Sequence, residues 1–474
     1  MDLNKFLSKN KNREVVAIQG LGFVGAVMSL VVSNSKKKDY AVIGVDLKEN
    51  SHIIDNINNG IFPIKSSDTK ISELFERSMN RENFFATFDV EAYSYADTII
   101  VDINLDVQKK SDHMGNLNSF DVDLEPFKKA IQTIGKNCKE NVLILIETTV
   151  PPGTCELIVK RIIKKEFDKR NLSFDNVKIG HSYERVMPGP DYVDSIKNFY
   201  RVYSGIDKSS ADKTEKFLKS IISTKKYPLT RLGNTNATEM AKVLENSYRA
   251  MNIAFIVEWS RYAEESGVNL YEVIDAIRMR PTHSNLMYPG IGVGGYCLTK
   301  DPLLASWARI NHFNGESNLE QSEDGVKIND KMPLFAFDYM KKAFDLNVLN
   351  DRRILLLGAS YRSDVGDTRY SPVELFYLKC ISENAEVVIH DPYVDIWEEL
   401  DLKTSQDIST LLDQRWDIIV FSTAHSEYKN SALLKKIEKM NGTMIYDTVG
   451  ILSQMHINRI SLNNTIKVLG RGDI

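Results

Sequence analysis

A short apolar run that breaks into glycines restricts this chain's fold more than any other feature. Val15-Val16-Ala17-Ile18 is brief and β-branched, and Gly20-Leu21-Gly22-Phe23-Val24-Gly25 follows after Gln19. Such a run reads as a buried strand. The stretch Ala26 to Val32 that comes next is apolar and helical in pattern. Strand, G-x-G-x-x-G and helix in that order form the phosphate-binding turn of a βαβ unit. Gly20 permits the tight turn, Gly22 lets backbone approach a pyrophosphate, and Gly25 lets helix pack on strand. Phe23 and Val24 open the helix, whose unpaired N–H groups and positive dipole suit phosphates. Asp46 ends the second strand-like run, Ala41 to Asp46, 21 residues beyond Gly25. A carboxylate there receives a ribose hydroxyl and repels a 2′-phosphate, so NAD is favoured over NADP. The alternative is a tight βα turn that holds no cofactor.

Further strand-like runs are Thr98 to Ile103, Val142 to Glu147 and Phe199 to Ser204, separated mostly by amphipathic stretches. That alternation predicts a parallel sheet covered by helices. The texture changes near Asn236-Ala237-Thr238-Glu239, which reads as a helix start with Asn236 as N-cap and Glu239 at the third position. A long helical pattern then runs through Met240, Val243, Leu244, Ala254 and Val257. Strand signals return at Arg353–Leu357, Glu386–Asp391, Asp417–Phe421 and Thr443–Asp447. The expected class is α/β: two Rossmann-like, doubly wound domains over residues 1–225 and 331–474, joined by a central helical domain over 226–330. The long helix carries more apolar surface than so small a middle domain can cover, which predicts a homodimer through it. Residues 1–13 are polar and are expected to form a loose arm.

At 474 residues and 43% hydrophobic, the chain has ample material for several cores, which excludes disorder and a disulfide-stapled miniprotein. The net charge of −4 argues against nucleic acid or a membrane surface as partner. No apolar stretch is long enough for a membrane helix, and Met1-Asp2-Leu3-Asn4-Lys5 does not begin a signal peptide; the expected location is cytoplasmic. No Cys-x-x-Cys pair occurs and neither His283 nor His425 has metal-site spacing, so no metal is expected. Of Cys138, Cys155, Cys297 and Cys380, one stands apart. Gly292-Val293-Gly294-Gly295-Tyr296-Cys297-Leu298-Thr299-Lys300-Asp301 sets Cys297 behind three glycines and ahead of a cation and a carboxylate. An ordinary thiol is only about 3% thiolate at neutral pH. A cation such as Lys300 raises that fraction, so Cys297 reads as a nucleophile and the other three as buried small hydrophobes.

In order along the chain these motifs resemble the UDP-glucose/GDP-mannose dehydrogenase family, from roughly residue 14 to 470. The resemblance adds Asn59-Gly60-Ile61-Phe62-Pro63-Ile64, Thr149-Val150-Pro151-Pro152-Gly153-Thr154, Glu184-Arg185-Val186-Met187-Pro188-Gly189, Lys242 through Asn246, Gly366-Asp367-Thr368-Arg369 and Asp391-Pro392-Tyr393. It implies a four-electron oxidation of a nucleotide sugar at C6, with two NAD+ reduced in turn, for polysaccharide precursor (capsule) synthesis. Cys297 would attack the intermediate aldehyde, and the thiohemiacetal would be oxidised to a thioester that water cleaves. By resemblance Lys242 and Asn246, four apart on one helical face, donate hydrogen bonds to the developing oxyanion. Thr149 positions water; Asp301 either helps to order that water or pairs with Lys300. Glu184 is the acid/base for hydrolysis, with a pKa raised by a nearly apolar pocket. Lys300 and Arg369 fall at cofactor positions. Arg185, Arg249, Arg280, Gly294, Tyr361 and Arg362 fall at substrate positions, Arg362 where the family usually has lysine. The Glu184 motif resembles the UDP-N-acetylhexosamine branch, manno or gluco, and the cysteine motif looks more like the UDP-glucose branch; the first is favoured, because Arg185 and Pro188 fall where an acetamido group could be recognised.

This chain departs from the family at Val101-Asp102-Ile103-Asn104-Leu105, where a Pro-Thr-Pro loop is usual, at Tyr183, which often is proline, and at Gln19. Two rival readings remain open at this point. A dehydrogenase of the hydroxyacid or 6-phosphogluconate type would not need Cys297, and a non-catalytic nucleotide-sugar-binding protein would need no nucleophile.

Overall fold

The structure is a computed structural model that describes residues 2–64, 66–112 and 116–474. The chain forms two compact units. The first is Met1–Gln108, Asp121–Leu244 and Leu304–Asn318; the second is Lys109–Phe120, Glu245–Leu303 and Leu319–Ile474.

The first unit is built on strands β1 (Glu14–Gln19), β2 (Tyr40–Val45), β3 (Phe84–Thr87), β4 (Thr98–Val101), β5 (Leu143–Ile146), β6 (Lys178–His181), β7 (Val202–Gly205) and β8 (Thr230–Arg231). They lie in the order β8-β7-β6-β5-β4-β1-β2-β3. Pairing is parallel except between β6 and β7. The inner strands β1, β2, β4 and β5 are rich in Val, Ile and Leu because helices cover both faces, and Val16, Ile18, Val42, Ile43, Ile99, Ile100, Leu143 and Leu145 are all buried. The order reverses between β1 and β4, so their carboxyl ends form a topological switch point, where open α/β sheets bind ligands.

Two expectations for this unit need correction. Residues 1–13 are not a loose arm: Leu3–Lys9 is a helix, capped by the Asp2 carboxylate accepting the Lys5 N–H at 2.8 Å. Leu3 and Phe6, one turn apart, are buried, and Phe6 stacks on Phe85 at 5.5 Å. Two apolar side chains suffice for so short a helix, which is why its sequence looks polar. The long helix spans Thr235–Ser266, and its cap is Asn234, whose Oδ1 accepts the Ala237 N–H at 2.9 Å; Asn236 lies inside the first turn.

In the second unit, β9 (Arg353–Leu357), β10 (Glu386–His390), β11 (Ile418–Phe421), β12 (Met444–Asp447) and β13 (Thr465–Val468) form an all-parallel sheet in the order β10-β9-β11-β12-β13. Successive side chains of β9 feed opposite cores. Ile354 and Leu356 join Phe376, Trp397 and Tyr446; Leu355 and Leu357 join Trp416, Phe421 and Tyr428. The order again reverses beside β9, which places the loop after Leu357 at the second switch point.

Candidate active site

The glycine loop has the shape its sequence predicts. Gly20 takes φ +95°, and a Cβ there would fall 2.1 Å from the Asp102 carbonyl oxygen. A Cβ on Gly25 would fall 2.0 Å from the Gly20 carbonyl oxygen, so helix and strand touch backbone to backbone. A Cβ on Gly22, by contrast, meets nothing within 4 Å. Gly22 caps the helix Phe23–Ser33 without a side-chain hydrogen bond, leaving N–H groups that suit a pyrophosphate. Phe23 and Val24 are half-buried in its first turn. At the end of β2, Asp46 Oδ2 accepts the Leu21 N–H at 2.6 Å, and Oδ1 accepts from Leu47 N at 2.7 Å and Asn50 Nδ2 at 2.8 Å. The carboxylate braces the glycine loop from the side where a ribose belongs. These residues fit a dinucleotide.

The first unit also holds Thr149, Glu184, Arg185 and Lys242. Lys242 reaches from the long helix and donates to the Glu184 carbonyl at 2.9 Å; its ammonium lies 3.8 Å from Glu184 Oε1 and 5.4 Å above the Tyr183 ring. Glu184 Oε2 accepts the Val186 N–H. The pocket is therefore polar, not the nearly apolar one expected, because a cation and a backbone donor both face the carboxylate. Arg185 turns back on its own unit, donating to Tyr200 O at 2.7 Å and Tyr183 Oη at 3.1 Å. Thr149 sits half-buried beyond β5, just ahead of a turn held from below by Glu239. Glu239 is not part of a capping box. Its Oε2 accepts the Gly153 N–H at 2.6 Å and its Oε1 the Cys155 N–H at 2.8 Å.

Burial pushes the Glu239 carboxyl from 4.5 up to about 7. The folded protein thus keeps a proton that the unfolded chain releases near 4.5, and stability from this group is present below that pH and declines as pH rises to about 7. Glu239→Gln removes the titration. Wild-type stability relative to that variant is expected to fall by about 3 kcal/mol across the interval. Unfolding midpoints of both proteins over a pH series check this, and a pH-independent difference would refute it.

In the second unit Cys297 is exposed, whereas Cys138, Cys155 and Cys380 are fully buried. Burial pushes the Cys138 thiol up to about 11 and raises the other two buried thiols as well. Cys297 precedes the helix Asp301–Asn311, and its carbonyl accepts the Asp301 N–H at 2.9 Å, so the sulfur lies near a positive helix end. Hydrogen bonding to Asp367 is the largest cause that holds the Arg369 guanidinium above its usual range, and a negative charge on Cys297 adds least to it. Arg369 is gripped by Asp367 through two hydrogen bonds, at 2.9 and 2.7 Å. Lys300, expected beside the thiol, is buried; its ammonium pairs with Asp301 Oδ1 at 3.1 Å and lies 4.5 Å above the Tyr296 ring. The other Asp301 oxygen accepts the Asn246 amide N–H at 2.6 Å. Asp301 is therefore the acceptor that orients Asn246.

The glycines before Cys297 serve close protein packing. A Cβ on Gly294 would fall 2.3 Å from Tyr361 Cβ, and one on Gly295 (φ +79°) 2.7 Å from the Tyr361 ring. The Gly295 N–H donates to the Arg369 carbonyl at 3.2 Å. Tyr361, Arg369 and the cysteine loop thus form one cluster; Arg249, Arg280 and Arg362 are exposed.

Sequence reasoning missed a buried ionic group. Val101 of β4 pairs with Ile146 of β5, which sets the next residues, Asp102 and Glu147, side by side. Arg201 Nη1 donates to Glu147 Oε1 at 2.6 Å, and both side chains are essentially inaccessible. Burial pushes both carboxyl groups up, and Arg201 opposes the shift. Asp102 Oδ2, Glu147 Oε2 and Arg201 Nη2 are buried with no hydrogen-bond partner among the described residues. The one signal in the sequence was an acidic residue ending each of two strongly apolar runs. Among the described residues no His/Cys/Asp/Glu group suits a metal, and no helix is long and apolar enough to cross a membrane.

Comparison with known proteins supplies the context. Three models of one family match: UDP-glucose/GDP-mannose dehydrogenase family, NAD binding domain, over residues 14–222; central domain, over 236–330; and UDP binding domain, over 355–454. A UDP-N-acetyl-D-mannosamine dehydrogenase of Methanocaldococcus jannaschii is 30% identical over 457 residues, covering 94% of this chain and 95% of its own. Among solved structures, the UDP-D-ManNAc dehydrogenase of Pyrococcus horikoshii is 26% identical, with a TM-score of 0.79 and coverage of 97% and 100%. An NDP-N-acetyl-D-galactosaminuronic acid dehydrogenase of Methanosarcina mazei is 25% identical, with a TM-score of 0.77 and coverage of 99% and 98%.

Proposed function

This chain belongs to the UDP-glucose/GDP-mannose dehydrogenase family and is an NAD-dependent oxidoreductase, and from that premise we propose that it oxidises C6 of UDP-N-acetyl-D-mannosamine from alcohol to carboxylate through a covalent intermediate on Cys297. The contrast among the cysteines carries the covalent step: one is exposed ahead of a helix N-terminus, and three are sealed in cores. The names of the relatives support the sugar, as does the Glu184-Arg185-Val186-Met187-Pro188-Gly189 motif.

NAD, bound on the Gly20–Gly25 loop with Asp46 at its ribose, supplies a hydride acceptor for each oxidation. The chain's own residues do the rest. When the alcohol becomes an aldehyde, the Lys242 ammonium and Asn246 amide donate to the carbonyl oxygen. The Cys297 thiolate adds to the carbon, and the oxygen takes a proton. Loss of the second hydride to NAD+, with the hydroxyl proton released to solvent, leaves a thioester. Water held by Thr149 then attacks, Glu184 takes its proton, and sulfur departs as the thiolate. Tyr361 and Arg362 hold the nucleotide end.

The test is the number of NADH formed per nucleotide sugar across UDP-N-acetylmannosamine, UDP-N-acetylglucosamine, UDP-glucose and GDP-mannose. Two NADH, with kcat/KM roughly tenfold or more higher for the first sugar, is the expected result. Preference for UDP-glucose would overturn the sugar assignment.

The working form is a homodimer. Met240, Leu244, Tyr248, Phe255, Trp259 and Tyr262 recur along one stripe of the long helix and are 45–63% exposed in the single chain. An apolar stripe of that size marks an interface. Sedimentation equilibrium is expected to give twice the chain mass; a monomer at micromolar concentration argues against it.

A further inference from the structure

The segment after β9 is pinned at two points by one buried histidine. Asp391, just beyond β10, takes the N–H groups of Ala359 at 2.8 Å and Ser360 at 3.0 Å on Oδ2, together with the Ser360 hydroxyl at 2.8 Å. Its Oδ1 takes the Tyr393 N–H at 2.9 Å. His425 completes this set, with Nε2 at 3.1 Å from Asp391 Oδ2. On its other side Nδ1 lies 2.9 Å from the Asp364 amide nitrogen. A backbone N–H only donates, so Nδ1 is the bare acceptor and the proton sits on Nε2. Both His425 and Asp391 are fully buried, and the rings of Tyr393 and Tyr428 pack on the imidazole at 5.3 and 5.5 Å. Asp364 itself is in the left-handed region (φ +59°), and its carboxylate takes the Ser426 N–H at 2.8 Å and hydroxyl at 2.6 Å. Tyr361 and Arg362 lie between the two pins. The Tyr361 N–H is itself held by the Asp367 carbonyl at 3.1 Å.

We propose that His425 is a positioning residue for nucleotide binding: by bridging Asp391 to the Asp364 N–H it fixes the Ala359–Asp364 loop in the conformation that presents Tyr361 and Arg362 to the diphosphate. The proposal rests on the reading of Tyr361 and Arg362 as nucleotide contacts. No other neutral side chain offers a rigid donor and acceptor on opposite edges of one ring. Loosening either pin lets the loop sample conformations that binding must then reverse.

The test uses UDP alone as probe, by calorimetry on the full chain, beside steady-state kinetics and melting curves. His425→Ala is expected to weaken UDP about tenfold and to raise KM for the nucleotide sugar by a similar factor, with kcat within about twofold and KM for NAD unchanged. His425→Asn, whose Oδ1 takes the place of Nδ1, is expected to recover most of the UDP affinity. Arg362→Ala serves as the reference for the nucleotide reading. If Arg362→Ala weakens UDP and His425→Ala does not, the proposal fails and the nucleotide reading stands. If Arg362→Ala leaves UDP binding intact, both fall. If Asn recovers nothing, or kcat falls as far as affinity, His425 is only part of the core and the proposal is overturned.

Discussion

Cys297→Ser is expected to lose the second NADH of every turnover, and kcat for full oxidation to drop roughly 10³-fold or more. Serine is nearly isosteric, so neither the turn at 295–300 nor the glycine packing on Tyr361 should change. What changes is the nucleophile. An alkoxide is inaccessible at neutral pH, whereas an exposed thiol ahead of a helix N-terminus can ionise. Without the covalent bond the aldehyde leaves or stalls, and the first hydride transfer runs back. Rapid mixing with one equivalent of nucleotide sugar should therefore yield at most one NADH per sugar. Two NADH per sugar at an unchanged rate would end the covalent mechanism.

The largest effect on stability is expected from Arg201→Met. The Arg201–Glu147 pair is essentially inaccessible, and Asp102 lies alongside it at the end of the neighbouring strand. Deleting the guanidinium leaves two adjacent buried carboxyl groups with their cation gone, a change that costs about 3–5 kcal/mol. The loss has a definite pH dependence. Burial already pushes both carboxyl groups up, and removing Arg201 pushes them further. The folded variant must hold protons that its unfolded chain releases, so it weakens as pH rises above the ordinary carboxylate range. Urea unfolding should show a greater deficit at pH 8 than at pH 5, and Arg201→Met with Glu147→Gln should recover much of it. A deficit under about 1 kcal/mol, or one that does not vary with pH, would show that the pair is not the buried charge couple described.

The fold was legible where the physics is local. The glycine loop and the β9, β11 and β12 runs follow from β-branched sequences with punctuation on both sides, and the structure places them within a residue of expectation. The sequence could not show the Asp102–Glu147–Arg201 group. Asp102 and Glu147 are 45 positions apart and meet only through strand register, and Arg201 arrives just ahead of the strand that runs antiparallel to its neighbour. The same holds for Glu239, whose spacing suits a capping box but whose carboxylate serves backbone donors 84 and 86 residues away. Lys300 reads in the sequence both as a cation for the thiol and as a partner for Asp301, and in the structure its ammonium pairs with Asp301.

The seclusion of Cys138, Cys155 and Cys380 has a practical consequence. A thiol-directed alkylating reagent applied to the native protein near neutrality meets a single accessible cysteine per chain. The uptake of label therefore counts competent chains in any preparation, and the speed of labelling follows whatever occupies the space around Cys297.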